Sequence, residues 1–203
     1  ITNGDGQFSA VNNGRMFESF PEFWEGGWIG SIERYLDTDS TTNGFLPRFN
    51  IINADTNNSG NFNDYANMRY GLTSTLVGNG YFNFDYGTTD RSFVNYYDEY
   101  SVSLGRPVKG AVNLISNIAT EIAPGIWQRD FENGISLVNS TTQTRSIQLP
   151  GEYEKIHGAQ DPYVNSGHVV SDITIPPRDG IILLRPLQEV LGNPFDNGAF
   201  ARV

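Results

Sequence analysis

Residues 14–28 read GRMFESFPEFWEGGW, and this stretch predicts both a strand of the sheet and the place where the chain does its chemistry. Its first apolar residues favour a short buried strand, which Pro21 ends because proline has no N–H to donate to a ladder. Glu18 then falls at the carboxyl end of the strand, which faces the ligand crevice in α/β sheets. A carboxylate followed by Trp24 and Trp28 is typical of carbohydrate chemistry, where an acid protonates the glycosidic oxygen and flat rings contact the sugar. The alternatives are a glutamate that caps a helix or pairs with an arginine, and a tryptophan that belongs to the core.

The composition limits the classes of partner. The 203 residues carry a formal net charge of −10, so nucleic acid and anionic membrane surfaces are not expected partners. The sequence has no cysteines and two histidines, which removes thiol chemistry and argues against a His-rich zinc site. No apolar run reaches the roughly 18 residues that a membrane helix needs. Neutral and cationic glycans remain as ligands.

The first 90 residues alternate between strand-like and helix-like segments. An apolar run predicts a strand covered on both faces, and an apolar stripe at a spacing of three and four residues predicts a helix that stops at Gly78. The predicted order is strand, strand, helix, strand, helix, strand, over residues 1–3, 15–17, 24–36, 45–54, 63–77 and 81–86. This order favours βα units and a parallel sheet.

Polar side chains follow each of four predicted strands, and they form the candidate site. We predict that Glu18 and Asp55 are the catalytic carboxylates, with an N-cap or Asx turn as the alternative for Asp55. Asp5 and Asp85 are weaker options for the second carboxylate, which can also lie on a strand outside this chain. The predicted substrate-binding residues are Asn3, Asp5, Trp24, Asn53, Tyr81 and Asp85.

Beyond about residue 117 the predicted strands are short, and turn signals recur about every ten residues. This pattern is typical of an antiparallel β-sandwich. The strands are predicted at residues 127–131, 135–139, 144–149, 153–156, 169–175 and 180–185. We therefore predict three parts, which are a βα region over residues 1–115, a sandwich over 116–190 and a linker or tail over 191–203.

No cofactor is expected. The sequence has no Gly-x-Gly-x-x-Gly motif after a strand and no Gly-x-Ser-x-Gly elbow around Ser19, so neither a nucleotide site nor a hydrolase triad is predicted. No metal is assigned to the site. A structural calcium ion is the alternative for the oxygen-rich loops, although they do not match the spaced acidic loop of an EF-hand. Those loops contain Asp37, Asp39, Asp55 and Asp64.

Four motifs resemble one family of glycoside-hydrolase-like TIM-barrel proteins, the hypothetical glycosyl hydrolase family 15. They are WQRDFENGISLVN at residues 127–139, PPRDGIILLR at 176–185, YYDEY at 96–100 with LGRP at 104–107, and NNGRMFESF at 12–20. In the first motif we expect Glu132 to pair with Arg129 or a neighbouring arginine. The resemblance implies the C-terminal half of a (β/α)8 barrel, incomplete in this chain, followed by a small antiparallel β-sandwich. An open α/β layer is the alternative for the front half.

The resemblance also implies a function. We expect a secreted or cell-surface glycoside hydrolase in which Glu18, buried among aromatic rings, works by carboxylate acid/base chemistry on a polysaccharide or oligosaccharide. The missing barrel strands would come from an upstream segment or another chain. The alternative is a non-catalytic carbohydrate-binding or structural surface module. A second carboxylate within about 5–10 Å of Glu18 would favour catalysis.

Overall fold

A computed structural model describes residues 13–21, 26–40, 47–87, 95–116, 122–189 and 200–202. The front part contains strand β1, helix α1, strand β2, helix α2 and strand β3, which are Met16–Phe20, Gly27–Ser40, Ile51–Asp55, Tyr65–Thr75 and Tyr81–Asp85. A short 3-10 helix follows at Asp98–Ser101. The remaining strands, β4 to β11, are Val112–Asn113, Ile126–Phe131, Gly134–Asn139, Arg145–Lys155, Val169–Ile175, Asp179–Leu184, Leu187–Glu189 and Phe200–Arg202. None of the helices in these ranges is long and apolar enough to cross a membrane.

The three front strands form a parallel sheet in the order β1-β2-β3. Each is joined to the next through a helix, as the alternation of segments predicts for parallel pairing. Phe17 pairs with Ile52, and Phe20 pairs with Ala54, so β1 has one residue more than β2 between these pairs. This β-bulge turns both phenylalanines toward the helices, where they are buried.

Helix α2 is the central element of the molecule. Asp64 caps its first turn by accepting a hydrogen bond from the Asn67 N–H at 3.3 Å. Gly71 allows the helix to approach the parallel sheet, because a Cβ atom there would lie 2.7 Å from the Ala54 Cβ and 2.6 Å from the Phe82 ring. The helix also packs against the antiparallel sheet behind it, where Leu72 and Leu76 contact a cluster that contains Ile182. It is therefore sandwiched between two sheets.

The antiparallel sheet has six strands in the order β4-β5-β6-β9-β7-β8. Strand β7 is eleven residues long, and its register shifts between Gln148 and Tyr153, so that its first half pairs with β8 and its end pairs with β8 and β9. The sheet encloses an apolar core on the face away from α2. That core contains Ile126, Ile135, Leu137, Leu149, Tyr153, Ile173, Ile175, Ile181 and Leu183.

Two contacts join the helical layer to the antiparallel sheet. The rings of Trp28 and Trp127 lie 6.1 Å apart, and the Trp28 indole N–H donates to the Ser74 hydroxyl at 2.8 Å. Arg69 of α2 reaches Asp179 of β9 through two hydrogen bonds of 2.9 Å. The core alternative for Trp28 is confirmed, because its side chain is buried in this layer.

The predicted fold class is wrong. Within the described ranges there are two α-helices and three parallel strands, and most of the regular structure is β-sheet, so the front part is not half of a (β/α)8 barrel. The next described element after β3 is a 3-10 helix and not a further βα unit. The rear part is one curved six-stranded sheet rather than two facing sheets. The strand predicted at residues 1–3 lies outside the described residues.

Several local expectations also differ from the structure. The strands predicted at residues 144–149 and 153–156 are the two halves of β7, which continues through Pro150 and Gly151 and bends there. Glu132 accepts a hydrogen bond from the backbone N–H of Arg106 at 2.9 Å instead of pairing with an arginine side chain. Strands β5, β6, β8 and β9 lie within one residue of their predicted limits.

Arg129 closes the C-terminal end of α2. Its guanidinium donates to the carbonyl oxygens of Leu76 and Gly78 and, at 2.6 Å, to the side-chain oxygen of Asn79. Leu76 is the C-cap of α2, and Gly78 and Asn79 belong to the turn that follows it. We expect Arg129→Met to lower the free energy of unfolding by about 1–3 kcal/mol, because buried carbonyls would lose their donor.

The measurement for this prediction is thermal unfolding, with Arg106→Met as the matched control, because the Arg106 side chain is exposed. The change in free energy corresponds to a melting temperature that falls by roughly 2–10 °C in a chain of this size. Equal melting temperatures for the two variants would contradict the role of Arg129.

Glu99 is a buried carboxyl group, 5% exposed, that accepts a hydrogen bond from the Asn165 side-chain amide at 2.9 Å. Burial raises the pKa of Glu99 above its ordinary value, although the Asn165 bond and the charge of Arg69 act in the opposite direction. The folded chain therefore binds this proton more tightly than the unfolded chain. Stability from this group is complete below the unfolded-state pKa and is lost as the pH rises through the folded-state pKa.

We expect Glu99→Gln to raise the melting temperature at pH 7 relative to the native chain, because glutamine keeps the acceptor for Asn165 and carries no charge to bury. The difference should shrink as the pH falls below the ordinary pKa of glutamate, because protonation removes the buried charge. Thermal unfolding across this range checks the expectation, with the exposed Glu152→Gln as control. A difference that does not depend on pH would contradict it.

Candidate functional site

The parallel sheet has one face covered by the helices and one face that is open in the described part of the chain. We call the second one the open face. It follows from the alternation of the strands, because Phe17, Ile52 and Phe84 are buried toward the helices while their neighbours point the opposite way. The residues of the open face are Met16, Glu18, Ile51, Asn53, Asp55, Tyr81, Asn83 and Asp85.

The middle of the open face carries a carboxylate beside two amides. Asn53 and Asn83 are paired in register on β2 and β3, and the Asn83 side-chain amide donates a hydrogen bond to the Asn53 side-chain oxygen. Glu18 follows Phe17, the partner of Ile52, and so lies at the level of Asn53 on β1. Its carboxylate has no hydrogen bond or ion pair to any residue that the structure describes. The Asn53 amide nitrogen likewise has no acceptor among these residues, so both groups are free to bind a ligand.

The bulge in β1 lies directly beside Glu18. Ser19 adopts a left-handed backbone conformation, with φ of 52°, which is uncommon for a residue that has a Cβ atom. β-bulges re-aim side chains and are over-represented next to active sites. Here the bulge allows Phe17 and Phe20 to face the helices, while Glu18 between them faces solvent.

The amino-terminal end of the open face is aromatic. The rings of Phe49 and Tyr81 stack with their centroids 4.5 Å apart and their planes 30° apart. Phe49 is 47% exposed and Tyr81 is 55% exposed. Two exposed, nearly parallel rings offer the flat apolar surface on which the C–H face of a sugar ring packs.

The carboxyl-terminal end of the open face carries Asp55 and Asp85, and both support turns. Asp55 accepts a hydrogen bond from the Asn57 N–H at 2.8 Å, and Asp85 accepts one from the Gly87 N–H at 2.9 Å. The two loops are joined, since the Gly60 N–H donates to the Tyr86 carbonyl at 2.9 Å. The Asx turn, which was the alternative for Asp55, is confirmed. The catalytic role of Asp55 stays a prediction.

The separation of the two predicted catalytic carboxylates follows from sheet geometry. Asp55 lies one strand across and two residues along from the level of Glu18. With strands about 4.8 Å apart and a rise of about 3.3 Å per residue, the two Cα atoms are about 8 Å apart. Retaining glycosidases have carboxyl groups about 5–5.5 Å apart, and inverting enzymes about 6.5–9.5 Å apart. At a Cα separation of about 8 Å, two side chains on the same face can bring their carboxyl groups to a distance in the inverting range.

The structure brings some of the predicted residues together and leaves others untested. Glu18, Asn53, Asp55, Tyr81 and Asp85 all belong to the open face. Asn3, Asp5 and Trp24 lie outside the described residues. The expected burial of Glu18 is wrong, because its side chain is exposed on the face opposite Phe17 and Phe20.

Asn83 on the open face and Phe49 beside it are suited to contact a ligand, and neither is among the residues predicted from the sequence. Asn83 lies between Tyr81 and Asp85 on the same face of β3, and the alternation of that strand was sufficient to find it. Phe49 contacts Tyr81 across the sheet, and alternation in the strand predicted at residues 45–54 places it on the same face as Asn53.

No metal site is evident in the described ranges, which contain no group of three His, Asp or Glu side chains able to hold an ion. Two of the acidic residues considered for calcium have other partners, since Asp64 caps α2 and Asp55 supports its turn. A structural calcium ion stays a prediction for the oxygen-rich loops.

Comparison with known proteins supports the family that the motifs resemble. The model of the hypothetical glycosyl hydrolase family 15 matches residues 1–135, which include the whole parallel sheet, its open face and strand β5. No curated protein matches the chain. The family match covers well over half of the sequence and includes Glu18. The chain therefore belongs to the hypothetical glycosyl hydrolase family 15.

Proposed function

We propose that the chain acts on carbohydrate at the open face and that Glu18 takes part in hydrolysis of a glycosidic bond. The observation that carries this proposal is the Glu18 carboxylate, exposed and without a protein partner in the described ranges, beside an amide pair. Membership of a family named for glycosyl hydrolysis supports the class of substrate.

Each part of the open face has a role in this proposal. Glu18 protonates the leaving oxygen as general acid or attacks the anomeric carbon as nucleophile. Asn53 and Asn83 bind sugar hydroxyls through amide groups, which donate and accept hydrogen bonds. Tyr81 and Phe49 pack against the apolar face of a sugar ring.

Hydrolysis needs a second carboxylate. We propose Asp55 for this role, because it lies on the same face and one strand away from Glu18. Its Asx turn uses one acceptor position on one carboxylate oxygen, which leaves other lone pairs available. Asp85 is the weaker option, since it lies one strand further away.

The second candidate function is carbohydrate binding without catalysis. It is favoured by the absence of a wall above the open face among the described residues, because an exposed face leaves substrate and carboxylates in contact with water. The test measures binding and release of reducing sugar for a panel of neutral and cationic glycans. Hydrolysis that depends on Glu18 supports the enzyme, and binding without hydrolysis supports the second function.

Two further expectations concern the same sheet and the location of the protein. The outer edges of β1 and β3 have no paired strand in the described part of the chain. Parallel sheets are usually covered on both faces, and free edges readily pair with further strands. Addition of strands from an upstream segment or another chain stays a prediction, as does an extracellular or cell-surface location.

A further inference from the structure

A cleft of about 350 Å³ lies apart from the open face, where the 3-10 helix and the segment that follows it meet the ends of β7 and β9. Its volume lies within the range of about 300–1,000 Å³ that is usual for small-molecule sites. Its lining residues are Asp98, Ser101, Val102, Ser103, Ile156, His157 and Leu184. None of them belongs to the open face.

The cleft combines unused polar groups with an apolar surface. Asp98 accepts a hydrogen bond from the Gln160 N–H through Oδ2 at 2.6 Å, and its Oδ1 has no partner among the described residues. Neither the His157 ring nor the Ser103 hydroxyl has a hydrogen bond in the same ranges. Apolar walls come from Val102, Ile156 and Leu184. A few polar groups over an apolar wall are the usual composition of a ligand site.

The two titratable side chains of the cleft lie directly against glycine residues. Gly167 has φ of +71°, and a Cβ atom there would lie 2.0 Å from the His157 Nε2 atom, so the imidazole lies directly against this glycine. A Cβ atom on Gly158 would lie 2.5 Å from the Asp98 Oδ2 atom. Both side chains therefore lie so close to the backbone that any residue larger than glycine would displace them.

Two exposed tyrosine rings lie next to a lining residue of the cleft. The Tyr96 hydroxyl is hydrogen-bonded to the hydroxyl of Ser101, a lining residue. The Tyr96 ring packs against Tyr100 with centroids 6.1 Å apart, and both rings are exposed. Tyrosine at the edge of a polar cleft offers an apolar surface together with a hydroxyl group.

We propose that this cleft is a second carbohydrate site, which binds a neutral sugar unit separately from the open face. The class of ligand rests on the proposed function. Sugar hydroxyls donate to the free oxygen of Asp98 and to His157, while the C–H face of the ring packs on the apolar wall and on the tyrosines. Asp98 and the net charge of −10 exclude anionic sugars as favoured ligands. A second site of this kind holds a polymer chain while the open face acts on it.

The experiment uses proton NMR of the whole chain, because the sequence has only two histidines, His157 and His168. His168 does not line the cleft and serves as the internal control. Cellohexaose, maltohexaose, xylohexaose and chitohexaose are titrated separately. We expect at least one of them to shift the His157 imidazole resonances and to leave those of His168 in place. The variants His157→Ala and His168→Ala assign the two sets of signals.

Two cleft variants test the site further. His157→Ala is expected to weaken binding of the hexasaccharide at the cleft about tenfold, which is the scale of one or two lost hydrogen bonds. Ser103→Phe is expected to block the cleft, and its effect does not depend on losing a contact that supports the fold. Glu18→Gln should leave the His157 shift unchanged. Failure of the open-face proposal can therefore be distinguished from failure of the second site. The second site is overturned if no hexasaccharide shifts His157, or if both cleft variants bind as the native chain does.

Discussion

Replacement of Glu18 by glutamine is expected to lower the rate of glycan hydrolysis by about 10²–10⁴-fold, the usual contribution of a general acid or base. Glutamine has nearly the same size and keeps a hydrogen-bond acceptor, but it cannot transfer a proton or attack the anomeric carbon. Because Glu18 is exposed and has no protein partner in the described ranges, the change should not alter folding. Binding of the same glycan should persist, since Asn53, Asn83 and the two stacked rings remain.

The measurement compares release of reducing sugar with binding for the same glycan. Glu152→Gln is the matched control, because Glu152 is also exposed but lies on β7, away from the open face. Turnover that is unchanged in Glu18→Gln would remove Glu18 from the mechanism. If the native chain binds the glycan without hydrolysing it, carbohydrate binding alone is the function of the open face.

A companion variant, Asp55→Asn, tests the second carboxylate. The asparagine side-chain oxygen still accepts the hydrogen bond from the Asn57 N–H, so the turn after β2 should persist. Loss of turnover on the scale seen for Glu18→Gln would identify the pair. Unchanged turnover would indicate that the second catalytic carboxylate is Asp85 or a carboxylate outside this chain.

The sequence predicts the elements better than their assembly. Hydrophobic periodicity locates the strands and helices, and their alternation predicts the parallel pairing of β1, β2 and β3. However, periodicity does not determine how many strands a sheet contains. Three strands joined by two helices are compatible with an open layer as well as with a barrel. The sequence also predicts a turn at Pro150 and Gly151, whereas both residues lie inside strand β7 of the curved sheet.

At the candidate site, too, the sequence predicts the residue but not its arrangement in the sheet. Strict alternation along β1 would place Glu18 on the same face as Phe20. The extra residue at the bulge separates them, since Phe20 is buried toward the helices and Glu18 is exposed. A bulge of this kind depends on pairing with β2, so β1 alone does not reveal it. The sequence therefore predicts which residue is the candidate acid but misjudges its surroundings.

The contact between Arg69 and Asp179 was equally hidden, because the two residues are 110 positions apart. The Arg69 guanidinium forms two hydrogen bonds with the Asp179 carboxylate and a third, at 2.7 Å, with Asp161. Arg69 is 2% exposed and Asp179 is 3% exposed. Burial opposes the charge on Arg69, but the bonds and charges of the two aspartates outweigh it, so the pKa of Arg69 is raised.

Arg69→Met is expected to lower the free energy of unfolding by about 3–5 kcal/mol, because it leaves Asp179 buried without its counter-charge. The double variant Arg69→Met with Asp179→Asn should recover more than half of that loss. It removes the unpaired charge and keeps an acceptor for the Gly180 N–H, which donates to Asp179 at 2.7 Å. Urea unfolding measures both. Equal stabilities for the single and double variants would show that the lost packing of the arginine, and not the orphaned carboxylate, accounts for the cost. The native arrangement would then join α2 to β9 by shape more than by charge.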